Sequence, residues 1–226
     1  MADFTGENSG LTIAEDGLAW EYISSEESEF LYDEIFVKEV YMQHGIQLQD
    51  GAIVIDVGAN IGLFSLYCVR HLKSLSLICI EPLPPNFNAL RRNLADYARK
   101  SNEKYAIKFI ECAVGNILET NTGSDFSFYP DNPGESTRYP KERLNQRNIL
   151  LDAAQQSDIE EIRGMGCETT LEGEGNKEDR YVYNCQIKSI ESILTEQNIQ
   201  SVDLIKVSQI VHIITSFLSV LIGMRS

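Results

Sequence analysis

The sequence predicts an α/β domain built on a doubly wound parallel sheet, and three observations carry that prediction. Short apolar runs rich in β-branched residues alternate with helical stretches from residue 53 to 114, the strand–helix–strand rhythm of a parallel sheet with helices on its faces. The 226 residues are 43% hydrophobic and 23% charged, which suits one ordinary core and excludes wholesale disorder. The first apolar run empties into a turn with two glycines, at the strand end where open α/β sheets bind ligands.

The elements follow in order. Residues 1–25 are polar and acidic, with Trp20 and Tyr22 marking a short strand or a docked arm. A helix is expected from Ser28, where Phe30, Leu31, Ile35, Val37 and Tyr41 recur near the helical period, with Gly45 as its stop. Residues 53–55 (IVI) read as a buried strand, 61–72 as a helix and 75–80 as a second buried strand. Residues 86–100 form the clearest helix, with Phe87, Leu90, Leu94 and Tyr97 on one stripe. A third strand is expected over 107–114. The rhythm then stops: Pro130, Pro133, Gly134 and Pro140 precede a charged tract over 158–180, read as an insert or cap. A strand over 181–187, a short helix over 189–197 and a buried strand over 202–207 close the pattern. The expected organisation is an acidic arm (1–27), one domain (28–207, insert at about 116–180) and an apolar tail (208–226).

Charge narrows the partners. There are 19 basic and 34 acidic residues, a net charge of −15, and residues 1–50 hold 12 of the acids against a single base, Lys38. Phosphate contacts need Lys and Arg, so nucleic acid and anionic membrane surfaces are disfavoured; solubility is the plain reading of the excess. The five cysteines are odd in number and form no Cys-x-x-Cys pair, as small buried hydrophobes of a reducing compartment do. His44, His71 and His212 have no ligand neighbours at metal spacing, so no metal site is expected. Met1-Ala2-Asp3-Phe4 lacks the basic start of a secretory signal, and a cytoplasmic protein is expected.

The chemistry gathers at residues 56–62, Asp-Val-Gly-Ala-Asn-Ile-Gly. Glycines there let backbone approach a ligand closely. A dinucleotide fingerprint needs Gly-x-Gly-x-x-Gly, but Asn60 stands at its middle glycine, which disfavours a dehydrogenase. Asp56 just before the turn would repel a phosphate and suits a ligand with an ammonium group and hydroxyls. Glu81, 19 residues beyond Gly62 at the tip of the next strand, can accept hydrogen bonds from ribose hydroxyls. A nucleoside with a cationic amino-acid arm and no phosphate meets these requirements, and S-adenosylmethionine is such a molecule.

Residues 54–62 (VIDVGANIG), Glu81-Pro82, Ala113-Val114-Gly115, Phe128-Tyr129-Pro130 with Gly134-Glu135-Ser136-Thr137, and 202–207 (VDLIKV) together resemble the FkbM-type S-adenosylmethionine-dependent methyltransferases over roughly residues 30–207. The resemblance implies a Rossmann-like sheet of the class I methyltransferase type, S-adenosyl-L-methionine as cofactor, and methyl transfer, usually to oxygen, on a small molecule or a carrier-linked acceptor. It puts Gly58, Ala59 and Asn60 along the methionine arm and Asp56 in charge of that loop, with Val57, Gly62 and Pro82 in the same binding set. Glu81 would hold the ribose, and Cys112 with Ala113 the adenine edge. The segment 128–137 would face the substrate through Tyr129, Asn132, Ser136 and Thr137, although Ser136 and Thr137 serve equally as turn residues. An activated sulfonium needs mainly alignment, and no spacing names a general base.

The chain departs from that family after Val207. The family pattern continues with Asp-x-Glu-Gly, a helix and three strands, whereas this chain reads Ser208-Gln209-Ile210 and holds no charged residue from 210 to 224. That run of 15 residues is shorter than the about 20 that span a bilayer, so no membrane is expected; a core helix on the strand over 202–207 and, in preference, non-family sequence such as a translated splice donor at Val207-Ser208 are the other readings. The expectation is therefore a methyltransferase domain lacking its C-terminal strands, with a catalytically degenerate cofactor-binding or interaction fragment as the alternative.

Overall fold

Strand β1 (Gly10–Ile13) and strand β2 (Ala19–Tyr22) form an antiparallel hairpin ahead of the main sheet. The fold is that of a computed structural model, in which residues 9–101, 103–145 and 180–208 are described. Trp20 is buried in the main core, so the hairpin docks through the chain's one tryptophan. Helix α1 (Ser25–Tyr32) follows, and its Ser24 cap accepts the Glu27 N–H at 3.3 Å. The expected start at Ser28 is thus corrected by three residues, and the division expected at residue 27 falls inside this helix. Nor does the helix run on to Gly45. It passes into a π-turn (Asp33–Val37), breaks at Glu39, whose φ of 48° is left-handed, and ends as a 3-10 turn (Val40–Met42).

Strands β3 (Ala52–Val57), β4 (Ser74–Ile80) and β5 (Lys104–Ile110) alternate with helices α2 (Leu63–His71) and α3 (Pro84–Lys100). Pro84 and Pro85 occupy the first turn of α3, where a missing N–H is harmless, and they start the helix earlier than its apolar stripe does. Strand β9 (Leu204–Val207), the last described, completes a four-stranded parallel sheet of order β5-β4-β3-β9, the arrangement of a doubly wound α/β fold. Asp203 fastens it by accepting the Ile53 N–H at 2.8 Å and donating its own N–H to the Ile53 carbonyl at 2.9 Å. The expected buried strand over 202–207 is therefore shorter and forms a sheet edge among the described residues, with Val207 44% exposed.

The third strand expected over 107–114 is divided. Strand β5 ends at Ile110, and β6 (Ala113–Val114) pairs instead with β8 (Tyr181–Lys188) in a second sheet of order β6-β8-β7. Strand β7 (Thr122–Phe128) lies inside the stretch read as an insert and runs antiparallel to β8 along its whole length. Its sequence, TGSDFSF, buries only the final three residues, so it carried no legible alternation. Helix α4 (Ile190–Glu196) leads back towards β9. The expected charged tract over 158–179, Cys167 and the apolar tail from 209 lie outside the described residues.

Both faces of the parallel sheet are covered, which is why its strands read as continuous apolar runs. Ala52, Val54, Leu75, Leu77 and Cys79 face the larger core with α2, α3 and the hairpin; Ile55, Val57, Ile78 and Ile80 face the smaller one with Ile193 of α4. Alternation along β3 therefore puts Asp56 on the side of the larger core. Cys68, Cys79, Cys112 and Cys185 are buried free thiols, and burial pushes the last two up to about 11 and about 12. Among the described residues no helix is long and apolar enough to cross a membrane.

Candidate cofactor site

The loop leaving β3 crosses the carboxyl edge of the sheet. The N–H groups of Gly58 and Ala59 both donate to the Ile80 carbonyl, at 2.9 and 3.0 Å, and tie the loop to the tip of β4. Gly58, Asn60 and Gly62 all have left-handed φ, at 66°, 51° and 90°. A Cβ on Gly62 would stand 2.7 Å from Leu90 Cδ1, and one on Gly58 would stand 3.3 Å from Ser208 Cβ. The first glycine thus lets the end of β9 come close, and the second lets α2 pack on α3.

Asp56 sits under this loop and is fully buried. Lys206, directly opposite it on β9, donates to Oδ1 at 2.9 Å, and the Ser65 hydroxyl donates to Oδ2 at 2.7 Å. Lys206 also reaches the Gly58 carbonyl at 3.3 Å and is capped by the rings of Tyr41 and Phe64. Both Asp56 oxygens are therefore engaged by the protein. The carboxylate thus ties the loop to β9 from beneath. Lys206 and Ser65 were missed as members of the site. Their signal is register, which pairs 56 with 206, rather than any spacing along the chain.

Glu81 is 3% exposed at the tip of β4. Its Oε2 accepts the Asn60 N–H at 2.8 Å and its Oε1 accepts the Leu83 N–H at 3.1 Å. Burial is the largest influence on this carboxyl and raises it from 4.5 to about 7, against the pull of those N–H donors and of Lys206. The Asn86 side chain of α3 also pulls this carboxyl down. The Oδ1 atoms of Asn60 and Asn86 are buried without a hydrogen-bond partner among the described residues. A buried acceptor left unmet is costly, so two of them beside one carboxylate mark a place for donors from a ligand. That donor demand fits the hydroxyls and ammonium group of S-adenosyl-L-methionine.

The remaining expected residues divide. Cys112 and Ala113 are buried where β5 gives way to β6, beside the Glu81 N–H, which donates to the Ile110 carbonyl at 3.2 Å. Val57 is buried at the end of β3, and the Pro82 carbonyl accepts the Cys185 thiol at 3.1 Å. In the segment 128–137, Asn132 is half-buried, while Tyr129, Ser136 and Thr137 are buried. Ser136 Oγ accepts the Tyr129 N–H at 3.2 Å and Thr137 Oγ1 accepts the Tyr139 N–H at 3.0 Å, so both hydroxyls serve the turn they stand in.

Two residues that the motifs did not single out join this edge to the start of the chain. Asn93 of α3 donates to the carbonyls of Ile61, at 2.8 Å, and Glu21, at 3.0 Å, while its Oδ1 accepts the Glu21 N–H at 2.6 Å. Glu27 of α1 accepts from Asn60 Nδ2 at 2.7 Å and from the Gly134 N–H at 2.6 Å. Burial pushes its carboxyl above the usual range, against those two donors.

No protein-family profile matches the chain. It is 30% identical over 203 residues to the methyltransferase sdnD of Sordaria araneosa, covering 86% of this chain and 70% of that protein. It is 32% identical over 190 residues to the AMB antimetabolite synthetase AmbE of Pseudomonas aeruginosa, covering 80% of this chain but 8% of the synthetase. It is 34% identical over 110 residues to the 31-O-demethyl-FK506 methyltransferase FkbM of Streptomyces tacrolimicus, covering 49% of this chain and 39% of that protein.

Proposed function

The chain belongs to the FkbM-like methyltransferases, and on that premise we propose that it binds S-adenosyl-L-methionine over the 56–62 loop and methylates an oxygen of a small-molecule or carrier-linked acceptor. The observation that carries this reading is the pair of unmet buried acceptors, Asn60 Oδ1 and Asn86 Oδ1, beside Glu81. The bound cofactor supplies an activated methyl group on a sulfonium. Gly58, Ala59 and Asn60 line its amino-acid arm, Glu81 accepts from the ribose hydroxyls, and Val57, Pro82, Cys112 and Ala113 enclose the nucleoside. Asp56 and Lys206 hold the loop from below. The protein's share of the rate is alignment. The oxygen acceptor follows from the Streptomyces relative, which is named for a 31-O-demethyl substrate. Its class, and a cytoplasmic location in keeping with buried free thiols, belong to this reading.

The test is calorimetric binding of S-adenosylhomocysteine, followed by methyl transfer from labelled cofactor to hydroxylated small molecules, free and tethered to a carrier. Binding with transfer is the expected result, and absence of binding overturns the proposal. Binding without transfer favours a degenerate cofactor-binding chain, a reading supported by Ser208, which stands where the family's acid belongs and bonds Lys206 instead.

A further inference from the structure

Glu27 touches both the cofactor loop and the turn after β7, and we propose that it is a positioning residue that closes this turn on the loop and presents Asn60 Oδ1 to the cofactor. The proposal rests on the methyltransferase reading above. Glu27 lies 33 residues before Asn60 and 107 before Gly134, so the tie belongs to the fold and not to local chain geometry.

The carboxylate is placed before any ligand arrives. The Glu27 backbone N–H donates to Ser24 Oγ, and the next residue, Ser28, accepts the Trp20 indole N–H at 2.8 Å in the core. Trp20 stacks on Tyr32 at 4.9 Å, Tyr32 on Phe36 at 4.8 Å, and Phe36 meets Tyr67 of α2 edge-on. This aromatic ladder fixes α1 against α2, which begins directly after the loop.

Two donors meet two different oxygens. A carboxylate only accepts, so the Asn60 amide must turn its nitrogen to Glu27, which directs Oδ1 away. That oxygen is one of the two buried acceptors without a partner. A glutamine at 27 offers one acceptor oxygen and opposes an NH₂ group to one of the donors. Two acceptor oxygens, not the length of the side chain, are what make the tie.

The test uses the whole chain. In Glu27→Ala, amide exchange at Gly134 in the free protein should accelerate, and S-adenosylhomocysteine should bind about tenfold more weakly. Glu27→Gln should keep Gly134 protected but lose affinity as Asn60 is displaced. The swapped pair Glu27→Gln with Asn60→Asp restores a donor–acceptor match and an outward oxygen, so it should recover most of the lost affinity, which a purely structural tie would not predict. Unchanged exchange at Gly134 overturns the tie, and unchanged affinity in Glu27→Ala overturns the positioning role. A wild-type chain that binds no S-adenosylhomocysteine is a separate result: it overturns the methyltransferase reading and the affinity claim with it, while Gly134 exchange still reports the tie.

Discussion

Asp56 and Glu81 end neighbouring parallel strands, are equally buried, and do opposite work. Asp56 has a cation and a hydroxyl on its two oxygens, inside the core. Glu81 has backbone N–H donors and amides around it, rises to about 7, and sits beside two acceptors without a hydrogen-bond partner among the described residues. Burial alone does not make a carboxylate structural or functional. The partners do: a dedicated cation completes one of them, and N–H donors leave the other able to take more.

The largest effect should come from breaking the completed one. Asp56→Ala strands the buried Lys206 ammonium, and Lys206→Met strands the Asp56 carboxylate. Each should cost about 3–5 kcal/mol of folding stability, and the double variant should lose less than the sum. Urea unfolding of the three proteins measures it; additive losses would mean that the two groups stabilise the fold separately.

Next comes Glu81→Ala, which should leave the fold largely intact but weaken S-adenosylhomocysteine by about 1–3 kcal/mol, roughly 5- to 150-fold. A protein that loses stability instead would make Glu81 a second structural carboxylate and erase the contrast.

Titration separates the pair more finely. The folded chain holds the Glu81 proton more tightly than the unfolded chain does, so its contribution to stability is full below about pH 4.5 and is lost as pH rises to about 7. Glu81→Gln should flatten that part of the stability profile. Ligand hydroxyls prefer the ionised form, so calorimetry should show affinity rising between about pH 6 and about pH 8 in the wild type and level in Glu81→Gln.

The smallest effect serves as the reference. Asp96, an exposed carboxylate paired with Arg99 three residues on, should be replaceable by Asn with no measurable change in stability or binding. A loss there would show that surface charge, and not partner type, governs this molecule.

How much of this was legible depended on distance along the chain. The glycine turn, Glu81 and the first strands could be read because they are set by local spacing and by apolar runs buried on two faces. Asp56 was found from its place in the motif, but its partner Lys206 lies 150 residues later, where no local spacing could pair the two. Asn93 and Glu27 carried no motif, since each is defined by what the fold brings to it. Strand β7 was lost inside the insert because it buries only one end and owes its form to pairing with β8.

The register of β3 with β9 also bears on how the protein is made. Leaving the ribosome, the chain can pair β3 with β4 and bend the glycine loop as soon as residue 80 has emerged, for that contact spans a short piece of chain. Asp56 then waits, in an unfinished core and without its cation, until Lys206 is synthesised. Closing so long a loop is entropically expensive and such contacts form late. A chain in which β3 has paired with β4 but not yet with β9 would therefore hold the outline of its binding loop over an uncompensated charge.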